Sequence, residues 1–159
     1  MSSSAVSHEI ESSVSAARLF KASMIEWHNL APKILPEIVS SASVVAVDGG
    51  VGSIRQINFT SAMPFPYLKE RLDFVDEANF ECKSSLIEGG DLGTKLESAS
   101  SHFKLVPSSN GGCVVKLEGI FKALPGVETT DEVAKGKEMM TNAIKAAEAY
   151  LVANPTAYA

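Results

Sequence analysis

Few residues in this chain carry obvious chemistry, and each has a structural alternative. The turn Asp48-Gly49-Gly50-Val51-Gly52-Ser53 lies between two β-branched stretches. Glycine permits positive φ and close backbone approach, so the turn invites a phosphate-loop reading. A nucleotide loop of that kind runs G-x-x-x-x-G-K-[ST] and opens a helix. Here no lysine stands at the required place and a strand follows, so a tight hairpin is the simpler reading. Arg55, just beyond the turn, is an anchor for an acidic ligand group, a cavity-rim residue or a solvated cation. Glu70 lies in an alternating stretch. If it points inward, burial disfavours its charged form. It is then a candidate proton shuttle, a counter-ion for an amine ligand, or a hydrogen-bonded rim carboxylate. His8, His28 and His102 are scattered, and none has metal-ligand spacing. No Ser/His/Asp arrangement is evident, and no metal or cofactor is implied.

Composition narrows the classes. The chain has 159 residues, 45% hydrophobic and 21% charged, which suits one globular domain over 1–159. A net charge of −5 and a pI near 5.2 argue against a nucleic-acid partner, which needs clustered Lys and Arg. No apolar run approaches the roughly 18 residues that span a bilayer. The start Met1-Ser2-Ser3-Ser4 lacks the basic and apolar regions of a signal peptide. Two isolated cysteines, Cys82 and Cys113, then point to a reduced, cytoplasmic protein.

Periodicity supplies the elements that must position these residues. Residues 7–14 alternate as a first strand. Ser15 is an N-cap for a helix over 16–26, and 27–34 form a second short helix limited by Pro32 and Pro36. Strands follow at 39–47, 53–60, 67–75, 80–87, 95–106 and 113–121. Ser108-Ser109-Asn110-Gly111-Gly112 marks the last hairpin. A long helix covers 130–152, about 33 Å at 1.5 Å per residue. Val133, Met140, Ile144, Ala147 and Leu151 form its apolar stripe. Gly136, Ala143, Ala146 and Ala147 make the helix thin, and Met139 and Met140 add flexible bulk. The expected architecture is α+β: a strongly curved antiparallel sheet wrapped around one long helix.

The order of motifs resembles the Bet v 1 family, the plant pathogenesis-related proteins of class ten that include birch pollen allergens. The resemblance rests on Ala16-Ala17-Arg18-Leu19-Phe20-Lys21-Ala22, the glycine turn through Ile54, and Phe65-Pro66-Tyr67-Leu68-Lys69-Glu70-Arg71-Leu72-Asp73. It also rests on Ile87-Glu88-Gly89-Gly90 and Glu148-Ala149-Tyr150-Leu151-Val152-Ala153. The terminal Asn154-Pro155-Thr156-Ala157-Tyr158 resembles the monocot branch. The resemblance covers essentially the whole chain. It implies a seven-stranded sheet gripping the long helix, with a large hydrophobic cavity between them. It further implies a plant protein of defence or specialised metabolism whose partner is a small amphipathic metabolite or hormone, flavonoid-, cytokinin- or sterol-like; a monomer is expected.

Strand alternation combined with the family register gives the expected lining. Ile57, Phe59, Leu68, Glu70, Leu72, Cys82, Ser84 and Leu86 come from the middle strands. Ala99, Ser101, Phe103, Val115, Leu117 and Phe121 come from the last two. Gly136, Met139, Met140 and Ala143 come from the long helix, with Met24, Ile38 and Arg55 completing the set. Ser84, Ser101, Cys82 and Glu70 are poor core fillers, and pockets for small molecules are mostly apolar with a few polar groups. Cys82 and Ser84 stand where the family often has tyrosines, which widens the cavity and removes phenol donors.

Other activities of the family leave weaker traces. Its proposed ribonuclease residues correspond to Glu97, Glu148 and Tyr150. Two carboxylates can serve as acid and base, but Glu148 and Tyr150, two apart on a helix, face different directions. The Pictet–Spengler branch uses an inward lysine, whereas Lys69 and Lys116 alternate outward. The stretch Glu88-Gly89-Gly90-Asp91-Leu92-Gly93 lacks the His-Arg latch of the hormone receptors that share this fold. A metabolite-binding protein is the first expectation, and an enzyme of cyclisation, isomerisation or condensation the second.

Overall fold

A computed structural model describes residues 3–47 and 50–159. Seven strands form one antiparallel sheet in the order β1-β7-β6-β5-β4-β3-β2. They are β1 (Ser4–Ser12), β2 (Val39–Ala46), β3 (Ile54–Phe59), β4 (Tyr67–Asp76), β5 (Glu81–Gly89), β6 (Leu96–Pro107) and β7 (Cys113–Ala123). The helices are α1 (Ala16–Phe20), α2 (Trp27–Ile34) and the long α3 (Thr130–Ala153). Every expected element is present, with ends shifted by a few residues. The first strand starts earlier than its pattern suggests because it pairs along β7, from Ser4 opposite Phe121 to Ser12 opposite Cys113.

The first helix differs more. Ser15 caps it, its side chain accepting from Arg18 N at 3.5 Å. Beyond Phe20 the chain continues as a π-helical turn, Lys21–Ile25. Ser23 Oγ donates to the Leu19 carbonyl at 2.5 Å there, a side-chain bond of the kind that loosens the regular helical ladder. α2 then starts afresh at Trp27.

The glycine turn closes as a hairpin. Gly52 N donates to Leu72 O at 2.7 Å, and Leu72 N returns a bond to Ser53 O at 2.9 Å. The Gly52 amide is therefore engaged by β4. Gly50 and Gly52 have φ of +73° and +91°, the left-handed region glycine enters freely. Asp48 and Gly49 of the proposed loop lie outside the described residues. At the end of β5, Gly89 has φ +74°, and a side chain there would collide with the Tyr67 carbonyl.

The larger of two buried clusters packs beneath the C-terminal half of α3, and a smaller one joins Ala31, Val39 and Ile57. Leu19, Leu30, Leu105, Val115, Ile144 and Leu151 are fully buried or nearly so. The buried residues of α3 are Ile144, Ala147 and Leu151, all in its C-terminal half. Arg18 fastens that half. It donates to the carbonyls of Leu151, Asn154 and Ala157. In the N-terminal half, Gly136 has no atom near the place a side chain would occupy, and Met139 is exposed. The thin stretch of α3 thus crosses the sheet without filling the space beneath it. Among the described residues, no helix is long and apolar enough to cross a membrane.

Candidate functional site

The unfilled space is a cavity of about 740 Å³ between α3, α2 and strands β2 to β4. Its lining includes the predicted Ile38, Ile57, Phe59, Leu68, Glu70, Gly136, Met139, Met140 and Ala143. An inner pocket of about 110 Å³ adjoins it, sharing Trp27, Glu70, Met140 and Ala143. There the predicted Met24, Arg55, Cys82, Ser84 and Phe103 come together, with Leu72. A third space of about 260 Å³ lies on the β1, β6 and β7 side of α3. It takes the predicted Ala99, Ser101, Leu117 and Phe121.

Two expected lining residues fall outside these cavities. Val115 points inward but is wholly buried in the packed core. Leu86 lies beside Gly90 at the end of β5. Several lining residues escaped sequence reading. Trp27, Leu35 and Val39 wall the large cavity, and Ser61-Ala62-Met63-Pro64 borders it. Pro64-Phe65-Pro66 reads as a chain breaker, yet Phe65 stacks edge-on against Phe59 at 5.4 Å and holds it at the cavity. The only visible hint to Trp27 is that a lone tryptophan begins a short helix next to two prolines.

Polar chemistry concentrates where the large cavity meets the inner pocket. Arg55 and Glu70 are directly opposite on β3 and β4. Arg55 Nη2 donates to Glu70 Oε1 at 2.7 Å, and Nη1 to the Met24 carbonyl at 2.6 Å. The Arg55 side chain is 9% exposed and that of Glu70 24%. The arginine is therefore neither solvated nor a free anchor for an acidic ligand, and it answers the carboxylate's charge. Among the described residues, Glu70 Oε2 receives no donor from the protein. His28 is close by. Burial, reinforced by the Arg55 charge, lowers its pKa, so the ring is neutral at pH 7. Its Nδ1 is buried without a hydrogen-bond partner.

The two thiols are inert fillers. Both are unpaired and buried. Burial pushes Cys82 from 9.0 up to about 12 and Cys113 up to about 11. Above pH 9 the unfolded chain loses these protons while the folded chain keeps them. The folded state then binds more protons, and stability falls as pH rises, by about 1.4 kcal/mol per pH unit for each thiol. Chemical denaturation between pH 8.5 and 10.5 is expected to show this slope, and Cys82→Ala to reduce it by that amount. An unchanged slope in the variant contradicts the burial account.

The other predicted groups lie apart. Glu97 pairs with Lys122 at 3.1 Å near the start of β6. Glu148 accepts from Ser13 N at 3.3 Å and from Lys145 at 3.4 Å. Ser12 is aligned with Cys113 and Pro107, at the far end of the same strands. About ten strand residues, on the order of 30 Å along the sheet, separate the two carboxylates. They do not share a site, and Tyr150 packs against the core. Lys69 pairs with Glu88, away from the cavity, and Lys116 is exposed. His102 bonds Glu81 at 2.6 Å, and His8 bonds Thr141 at 2.8 Å. Among the described residues, no group of three acidic, His or Cys side chains is arranged to hold a metal ion.

A curved sheet gripping one long helix over a mostly apolar hollow defines the helix-grip class of proteins. The chain belongs to the pathogenesis-related protein Bet v 1 family, whose sequence model matches residues 1–154. It is 57% identical to Pathogenesis-related protein 1 of Asparagus officinalis over 159 residues, 99% of each chain. It is 41% identical to the major pollen allergen Car b 1 isoforms 1A and 1B of Carpinus betulus, over 94% of each. The structure of Ara h 8.0201 superposes with a TM-score of 0.84 at 27% identity, covering 96% of this chain and all of that one. Norcoclaurine synthase from Thalictrum flavum shares the fold at 22% identity, with a TM-score of 0.80 over 95% of this chain and 87% of that one.

Proposed function

We propose that this protein binds small amphipathic plant metabolites in the large cavity and holds or buffers them as part of a plant defence response. The observation that carries this reading is a cavity of about 740 Å³ with mostly apolar walls and, on its strand side, a Glu70 carboxylate with one oxygen left free. Sites of this size and lining are typical of small-molecule pockets. Charge accounting narrows the guest. The Arg55–Glu70 pair is neutral as a unit and His28 carries no charge at pH 7, while Lys135 and Glu138, both exposed on the long helix, offset each other at the cavity's edge, so the lining offers a cationic amine no net negative charge. A neutral, multi-ring guest with a hydroxyl or N–H donor fits better: its body meets the apolar wall and its donor meets Glu70 Oε2. Flavonoid-, sterol- and cytokinin-like molecules have this form. The unpaired thiols support a reducing, cytoplasmic setting, and a monomer suffices because one chain provides the whole cavity.

Isothermal titration with a hydroxylated flavonoid aglycone and its hydroxyl-free parent tests this. Both are expected to bind saturably. Glu70→Gln is expected to weaken the hydroxylated ligand about tenfold or more, the worth of a hydrogen bond to a charged group, and to leave the parent unchanged. Absence of saturable binding in the native protein contradicts the reading.

A second reading is an enzyme of specialised metabolism that orients an intermediate for cyclisation, isomerisation or condensation. One observation favours it: the acid lies at the junction of the large cavity and the inner pocket. Orientation in an enclosed site alone lowers barriers by several kcal/mol. Turnover of an identified substrate that survives Glu70→Gln unchanged removes Glu70 from that role.

A further inference from the structure

Met140 borders all three cavities, and it is the one residue common to their linings among the described residues. Its place on α3 explains this. At 3.6 residues per turn, Gly136, Met140 and Ala143 fall within about 60° of one another on the helix, facing the sheet. Val133 and Lys137 lie to one side of that line and border the 260 Å³ space. Lys135, Met139 and Asn142 lie to the other and border the 740 Å³ cavity. One turn before Met140, Gly136 also borders both, with nothing within 4 Å of the position its Cβ would take. At this level the helix itself is too slender to divide the interior.

We infer that the Met140 side chain is the movable partition between the two larger compartments, and that it sets the length of guest the protein accepts. An unbranched thioether with three rotatable bonds can repack where a branched side chain cannot. With Met140 across the gap, a guest fills the large compartment and stops. With the partition gone, an apolar tail continues past Gly136 into the space beneath Val133 and Leu117. This rests on the ligand-binding reading above and adds the residue that determines its selectivity.

The test is isothermal titration with 4-alkylphenols, from butyl to dodecyl, as probes. In the native protein each added methylene is expected to tighten binding about fourfold until the large compartment is full, after which the gain stops. Met140→Ala is expected to move that break at least two carbons longer. Gly136→Met adds bulk at the same gap and is expected to move the break shorter. Val152→Ala, an exposed position on the same helix that borders none of these cavities, is expected to leave it in place. Shifts in opposite directions cannot arise from poor folding, and Gly136→Met alone still decides the matter if Met140→Ala does not fold. The same break in the native protein and the partition variants overturns this inference while leaving ligand binding intact. Failure of every alkylphenol to bind the native protein overturns both.

Discussion

Replacing Arg18 with alanine is expected to lower the stability of the fold by about 3 kcal/mol, the combined worth of charge-assisted hydrogen bonds and newly orphaned carbonyls. Its guanidinium donates from Nε to Ala157 O at 3.2 Å and from Nη2 to Ala157 O at 2.9 Å. The same Nη2 reaches Asn154 O at 2.9 Å and Leu151 O at 3.2 Å. The last carbonyls of a helix have no partner within it and carry partial negative charge. Arg18 answers both needs for α3 and ties the terminal segment to α1. Lysine in its place keeps the charge but loses the planar fork, so Arg18→Lys is expected to recover only part of the loss. Urea denaturation measures both variants. A cost below about 1 kcal/mol for Arg18→Ala shows that the terminal segment is not anchored through this residue.

The second large effect belongs to the buried pair. Arg55→Met is expected to cost about 3–5 kcal/mol, because it leaves the Glu70 carboxylate without its counter-charge in a poorly solvated place. Glu70→Gln is expected to cost less, about 1–2 kcal/mol, since an amide oxygen can still accept from Arg55. In the double variant, the remaining apolar and amide groups carry no charge. Its loss is therefore expected to fall short of the sum of the single losses by at least 1 kcal/mol. Additive losses show that the two groups, 2.7 Å apart, do not support one another. The pair faces the cavity, so these variants also need a ligand titration to separate stability from recognition.

Much of this fold was legible from local pattern, because its local pattern agrees with its tertiary structure. The stripe Val133, Met140, Ile144, Ala147 and Leu151 gives the period of α3, although only its last three residues are buried. The turn at Ser108-Ser109-Asn110-Gly111-Gly112 gives the β6–β7 hairpin, with Ser108 N bonded to Gly112 O. Alternation gives which face of a strand looks inward. It does not give whether the space opposite is filled. Val115 and Leu117 share a face of β7, yet one is sealed beneath the anchored half of α3 and the other borders a cavity. That difference depends on where along the helix the packing stops.

Contacts between distant segments left no local trace. Arg18 meets residues more than 130 positions away, and its role is not written in the helix around it. The Arg55–Glu70 pair needs the β3–β4 register, which sets the two residues opposite each other. Reading Glu70 as a lone acid followed from seeing only its own strand. The Ser61–Pro64 border of the cavity was hidden for another reason. Its sequence signals a break in regular structure, and such signals are silent about what the irregular chain encloses.

The central claim is that guests enter the hollow under α3 and do not merely adhere to the surface. Titration with the fluorescent apolar probe ANS, on the native protein and on Ala143→Trp, tests this most directly. Ala143 borders both the large cavity and the inner pocket, so an indole there occupies the guest's space. The account predicts saturable binding to the native protein and at least a tenfold loss in a variant that stays folded. Equal isotherms for the two proteins would place the probe elsewhere and contradict it.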